Sequence, residues 1–134
     1  MLDCAILGDS IAVGISYRRP DCVVYGQGGW NSWQVRRLNW DQAKVTIIAL
    51  GSNDHPGVNT KAELGKIRDR VTSPAVFWIM PTAAPATSIK MVQDTIREIA
   101  GKHGDAIVEV KSVSPDGIHP SQDGYRQIIQ DIRQ

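Results

Sequence analysis

The chain has 134 residues, 42% of them hydrophobic and 22% charged, with a formal net charge of +1. That length suits one hydrophobic core, so residues 1–134 are expected to form a single domain of ordinary globular composition. Near-neutral charge without a basic run argues against a nucleic-acid surface, and no apolar run is long enough to span a bilayer.

The first apolar run, residues 4–7, has the length of a buried strand and ends in Gly8-Asp9-Ser10. It begins almost at Met1 with no basic lead-in, so no classical signal peptide is read there. The expectation is a cytoplasmic protein, or one released by a route that needs no such signal. An apolar-rich segment then reaches Arg18-Arg19, where Pro20 stops it, which predicts a short helix. Ser10 therefore sits at a strand-to-helix turn. Ser and Asp are common N-caps at such turns, and for this triplet alone capping is the stronger reading. The second run, residues 22–25, leads into Gly26-Gln27-Gly28-Gly29-Trp30-Asn31. Residues 31–40 make a weaker helix, with Trp33 and Trp40 read as core or helix-packing residues. The third run, residues 45–50, ends in Gly51-Ser52-Asn53-Asp54, and Leu64, Ile67 and Val71 mark a helix after Thr60. The fourth run, residues 75–80, precedes a Pro/Ala/Thr-rich loop at 81–87. Ile89, Val92, Ile96 and Ile99 then give one helical face, capped by Thr87 or Ser88. The fifth run, residues 106–110, leads into Asp116-Gly117-Ile118-His119-Pro120. Tyr125, Ile128, Ile129 and Ile132 fall at helical spacing on a last helix expected over 121–133.

Strands alternating with helices predict an α/β fold: a flavodoxin-like three-layer α/β/α sandwich, with a five-stranded parallel sheet in the order 2-1-3-4-5. Cys4 and Cys22 fall in the first two strands and are expected as buried free thiols, given the compartment. Two cysteines and no His pair at ligand spacing leave no metal site, and no cofactor is called for.

The polar clusters all follow strands, so they converge on the carboxyl rim of the sheet, where such folds bind ligands. Together they supply a hydroxyl, glycine amides, a side-chain amide and an Asp-His pair, the groups that serine acyl transfer requires. In this order the blocks resemble the SGNH hydrolases, also called GDSL-type esterases and lipases. Gly8-Asp9-Ser10 matches the first block, with Ile11 where the family name has leucine. Gly29-Trp30-Asn31-Ser32 matches the second, with Gly28 as the alternate glycine. Gly51-Ser52-Asn53-Asp54 fits the G-x-N-D pattern and Asp116-Gly117-Ile118-His119 the D-x-x-H pattern. The resemblance spans nearly the whole chain, which is short for the family, so long covering loops are expected to be missing.

The resemblance implies Ser10 as nucleophile, His119 as its general base and Asp116 as the group that orients His119. It implies an oxyanion site built from the backbone N–H groups of Ser10 and Gly29 and the side-chain amide of Asn53. Asp9 is read as a support for the turn. His55 is either at the mouth of the site or a solvent-exposed loop residue, and His103 lies at a helix C-terminus. Trp30 follows the oxyanion glycine and is divided evenly between a substrate wall and the core. The expected substrate is a small-molecule or carbohydrate ester with a short acyl group such as acetyl. The alternative is a flavodoxin-like module that binds a phosphate or small molecule without hydrolysis, against which stands the absence of a phosphate-loop sequence. A catalytically dead relative used for assembly is the third reading.

Overall fold

The computed structural model describes residues 1–133. Strands and helices alternate throughout: β1 (Leu2–Gly8), α1 (Ser10–Ser16), β2 (Cys22–Gly26), α2 (Ser32–Arg36), β3 (Ala43–Ala49), α3 (Thr60–Asp69), β4 (Ala75–Ile79), α4 (Ile89–His103), β5 (Ala106–Val108) and α5 (Gln122–Asp131). The sheet has the order β2-β1-β3-β4-β5, and every adjacent pair is parallel. This is the α/β sandwich and strand order that the alternation predicts.

A parallel sheet must be covered on both faces, and its strands here carry apolar residues to both. Leu7, Ile48, Leu50, Trp78 and Met80 meet Val35 of α2, Leu64 and Ile67 of α3 and Val92, Ile96 and Ile99 of α4. Ile6, Ile47, Ala49, Phe77 and Ile79 meet Ile11 and Ile15 of α1 and Ile128 and Ile132 of α5 on the opposite face. The helical stripes legible in α4 and α5 are the ones that cover the sheet, and Tyr125 and Ile129 pack at the edge of the α1/α5 cluster.

Helix starts follow capping chemistry. Asp9, Asn31, Asn59, Ser88 and Ser121 each accept a bond from a first-turn amide. For α2, only five residues long, Asn31 and Gln34 form a reciprocal capping box. Ser88, rather than Thr87, caps α4.

Two sequence expectations fail. Cys4 and Cys22 are not free thiols but form a disulfide. They are directly opposite in the β1–β2 register, so both side chains leave the sheet on one face with their Cα atoms 4.4 Å apart. Trp33 is not a core residue either. It is 47% exposed, with the Arg37 guanidinium 3.5 Å above its ring. Trp40 does pack on the core, beneath Arg70. Among the described residues no helix is long and apolar enough to cross a membrane.

Candidate active site

Register brings the polar clusters level. Gly8 at the end of β1 pairs with Gly26 of β2 on one side and Ala49 of β3 on the other, so the three following loops leave the sheet side by side. A side chain at Gly26, whose φ is +123°, would collide with the Gly8 carbonyl, so this close approach requires glycine.

Ser10 opens α1. Its Oγ lies 2.9 Å from Nε2 of His119, a contact across 109 residues of chain. His119 Nδ1 is 2.6 Å from Oδ2 of Asp116. A carboxylate can only accept, so Nδ1 carries the proton in the neutral imidazole and Nε2 is free to accept from the serine hydroxyl. Asp116 is itself fixed: its Oδ1 accepts from the Ser114 hydroxyl at 2.6 Å and from the backbone N–H groups of Ile118 and His119. The Ser114 hydroxyl first, and then the His119 ring, hold the Asp116 carboxyl well below the usual carboxylate range, so it stays ionised. Asp116 and His119 side chains are 45% and 42% exposed, so this part of the site is open to solvent.

The glycine loop closes a turn from Gln27 to Trp30, whose N–H donates to the Gln27 carbonyl at 3.2 Å. Gly29 occupies its third position with φ +81°, which a type II turn reserves for glycine. Gly28 is the glycine nearer the serine, since a Cβ there would stand 3.8 Å from Ser10 Cβ. Both glycines are exposed. Asn53 Nδ2 donates to the Trp30 carbonyl at 3.0 Å, which ties the β3 loop to the glycine loop. Trp30 itself is half-buried and packed against the core cluster on the α2–α4 face.

Asp54 is a residue whose role the sequence does not single out. It is fully buried, with Oδ1 accepting from Ser32 N–H at 2.9 Å and Oδ2 from the Thr60 hydroxyl at 2.8 Å. It thus clamps the starts of α2 and α3, where helix dipoles favour a negative charge. Its position in Gly-Ser-Asn-Asp was the available signal. Asp9 is also buried, and burial pushes its carboxyl up to about 6. Its Oδ1 accepts from Ile11 N–H, whereas Oδ2 is buried without a hydrogen-bond partner. Ser32 Oγ and Ser52 Oγ share that condition, so the unsatisfied buried side-chain atoms found among the described residues belong to the α1 cap, the first residue of α2 and the loop after β3, all at this rim. Local rules are most often broken at functional sites.

His55 is exposed and not joined to this group by a hydrogen bond. Its Nδ1 accepts from Gly57 N–H within its own turn. His103 ends α4, as expected, ahead of Gly104 in the left-handed conformation. Among the described residues, Cys4, Asp21 and Cys22 alone gather three metal-ligand atoms, and the disulfide consumes both sulfurs.

No protein-family profile matches the sequence, and no curated protein matches it. Solved structures do. A candidate acylhydrolase of Bacteroides fragilis superposes with a TM-score of 0.71 at 17% identity, over 97% of this chain and 85% of its own. A GDSL-like lipase of Bacteroides thetaiotaomicron does so with the same TM-score and identity, over 97% and 86%. The fold is that of the SGNH, or GDSL-type, hydrolases. Within it, Ser10 follows β1, Gly29 lies on the loop after β2 and Asn53 on the loop after β3, and Asp116 and His119 lie on the loop between β5 and α5.

Proposed function

We propose that this chain is a serine esterase in which Ser10 attacks the ester, His119 moves the proton and Asp116 orients the imidazole and stabilises its protonated form. The observation that carries this reading is the unbroken chain Ser10 Oγ–His119 Nε2–His119 Nδ1–Asp116 Oδ2, at 2.9 and 2.6 Å. A serine hydroxyl is a poor nucleophile until a base takes its proton, and a neutral imidazole with its acceptor nitrogen at Oγ does that.

In the first half-reaction Oγ bonds to the ester carbonyl carbon and its proton passes to Nε2. The tetrahedral oxyanion is held by the Ser10 and Gly29 backbone N–H groups and by the Asn53 amide. Asn53 Nδ2 has two protons. One goes to the Trp30 carbonyl, which fixes the plane of the amide, and the other remains for the oxyanion. As the C–O bond breaks, protonated His119 gives its proton to the leaving alcohol. Water then attacks the acyl-serine by the same route, releasing the acid and restoring Ser10.

The substrate reading is a short acyl group, such as acetyl, on a bulky and exposed alcohol such as a carbohydrate. It is supported by the openness of the Ser10 surroundings: Gln27, Gly28, Gly29, Asp116 and Gly117 are all exposed. Of the candidate wall residues, Trp30 leans on the core and His55 is bound into its own turn, so neither encloses a long acyl chain.

A fluorophosphonate probe tests the chemistry. Wild type should be modified at Ser10 and Ser10→Ala should not. A phosphate-binding module would leave both unlabelled. Chromogenic esters of increasing acyl length then test the substrate: kcat/KM should be greatest for acetyl and fall as the chain grows. A rise toward long chains would overturn the short-acyl assignment.

A further inference from the structure

The turn that carries Asp116 and His119 is bonded mainly to itself. Ser114 N–H donates to the His119 carbonyl at 2.8 Å, Gly117 N–H to the Ser114 carbonyl at 2.9 Å and Ser121 N–H to the Ser112 carbonyl at 3.0 Å, while Val113 and Pro120 form a bridge. The Ser112 and Ser121 hydroxyls close the base of the loop at 2.5 Å. Such a loop is internally stiff, yet none of these bonds sets where it stands relative to Ser10.

Apart from Ser10, one side chain from another part of the fold is hydrogen-bonded to it among the described residues. Thr82 follows β4, and its Oγ1 lies 3.1 Å from the Gly117 carbonyl oxygen and 3.3 Å from that of Ile118. The Ile118 carbonyl belongs to the peptide that joins Ile118 to His119. Thr82 itself rests on a held segment. Met80 N–H donates to the Val108 carbonyl, and the Pro81 carbonyl accepts from Gln93 Nε2 of α4 at 2.8 Å. The hydroxyl proton is thus shared between two carbonyls that no bond within the loop uses among those above, and it ties the turn to the central sheet.

We propose that Thr82 is a positioning residue: by donating to the carbonyls of Gly117 and Ile118, its hydroxyl holds the Asp116–His119 turn at the distance where Nε2 meets Ser10 Oγ. The role rests on the serine-esterase reading for its effect on rate, but not for its effect on the imidazole. Thr82→Val keeps the shape and removes the donor, Thr82→Ser keeps the donor, and Thr82→Ala removes the hydroxyl without replacing the lost atom by another.

The experiment compares wild type with these variants by the rate of Ser10 labelling with a fluorophosphonate, by kcat and KM on a chromogenic acetyl ester, and by the 15N-resolved imidazole signals of His119. Labelling rate and kcat should fall by roughly ten- to a hundredfold in Thr82→Val and Thr82→Ala, the range produced by small misplacements of reacting groups, with KM unchanged. Thr82→Ser should remain close to wild type. The His119 signals should shift or broaden in Thr82→Val and return in Thr82→Ser. Wild-type rates and signals in Thr82→Val would overturn the proposal, as would a Thr82→Ser variant as impaired as Thr82→Val. A wild-type protein that is never labelled would instead overturn the esterase reading, and the His119 signals would then decide the role of Thr82 by themselves.

Discussion

At the scale of single residues, Asn53 and Asp9, both on the rim that carries Ser10, are opposites. On the proposed reading, Asn53 serves a charge that exists only during reaction, so its worth would lie in kcat. Asn53→Ala should lower kcat by about 10²–10³ with a much smaller change in KM, because the oxyanion forms in the transition state. A mutant altered only in KM would show that Asn53 merely binds substrate. Asp9 carries the reverse signature: a carboxylate buried where it is poorly satisfied. Its folded pKa of about 6 lies above its ordinary value of 3.8, so the folded protein binds the proton more tightly than the unfolded chain. Stability should therefore fall as pH rises from about 3.8 to 6, with the full penalty present above that window. Asn caps helices as well as Asp, so Asp9→Asn keeps the α1 start and removes the ionisation. It should raise unfolding stability at pH 7.5 by at most about 3 kcal/mol, and leave it unchanged near pH 3.5. Urea melts at the two pH values check this, and a loss of stability at pH 7.5 would mean that the charge is held by something stronger than burial opposes.

At the scale of elements, the legible features were those that depend on local pattern. The α5 stripe, the α4 cap at Thr87 or Ser88 and the four polar clusters after strands can all be read from neighbours a few residues apart. What stayed hidden depends on partners far away in the chain. Asp105 is such a residue, placed after Gly104 with no motif to mark it. In the fold it accepts two bonds from Arg68 at the end of α3, at 2.7 and 2.9 Å, and a third from the indole N–H of Trp78 in β4. The Arg68 and Asp105 side chains are only 11% and 4% exposed, so the pair is desolvated and its geometry is bidentate. Removing one partner strands the other charge. Asp105→Ala should destabilise by about 3–5 kcal/mol, whereas replacing both partners with apolar residues of similar volume should cost much less. Chemical denaturation of the single and double variants distinguishes these outcomes. Thr82 and Asp54 were hidden for the same reason, since Thr82 bonds the Gly117 and Ile118 carbonyls 35 and 36 residues away and Asp54 the Ser32 N–H 22 residues away. Trp33 misled in the other direction. A tryptophan in a helix usually packs inward, but Trp33 stands in the first turn of a five-residue helix whose buried positions are Ser32 and Val35.

At the scale of the whole molecule, the sheet places the disulfide and the candidate site at different levels of the same two strands. The candidate site occupies the carboxyl rim, where Gly8 pairs with Gly26, and the disulfide joins Cys4 to Cys22 four residues earlier in both strands. At a rise of roughly 3.3 Å per residue, the two lie about 13 Å apart along β1. β2 is an edge strand whose sheet partner is β1, whereas β1 is also paired with β3 over its length. The disulfide spans 18 residues of chain, and closing a loop of that length restricts the unfolded state by about 3 kcal/mol. Its loss therefore weakens the folded state as a whole. The carboxyl rim depends on other ties: the Gly8 register against β3, the Asn53–Trp30 bond and the Asp54 clamp on Ser32. Protein unfolded and refolded in reductant should accordingly show a denaturation midpoint lowered in proportion to a loss of about 3 kcal/mol, yet label at Ser10 at the oxidised rate under native conditions. Reduced protein that keeps its stability would show that the unfolded chain gains nothing from the cross-link. Reduced protein that is folded but labels slowly would show that the edge strand transmits the state of its amino end to the glycine loop, and that the two ends of the sheet are coupled.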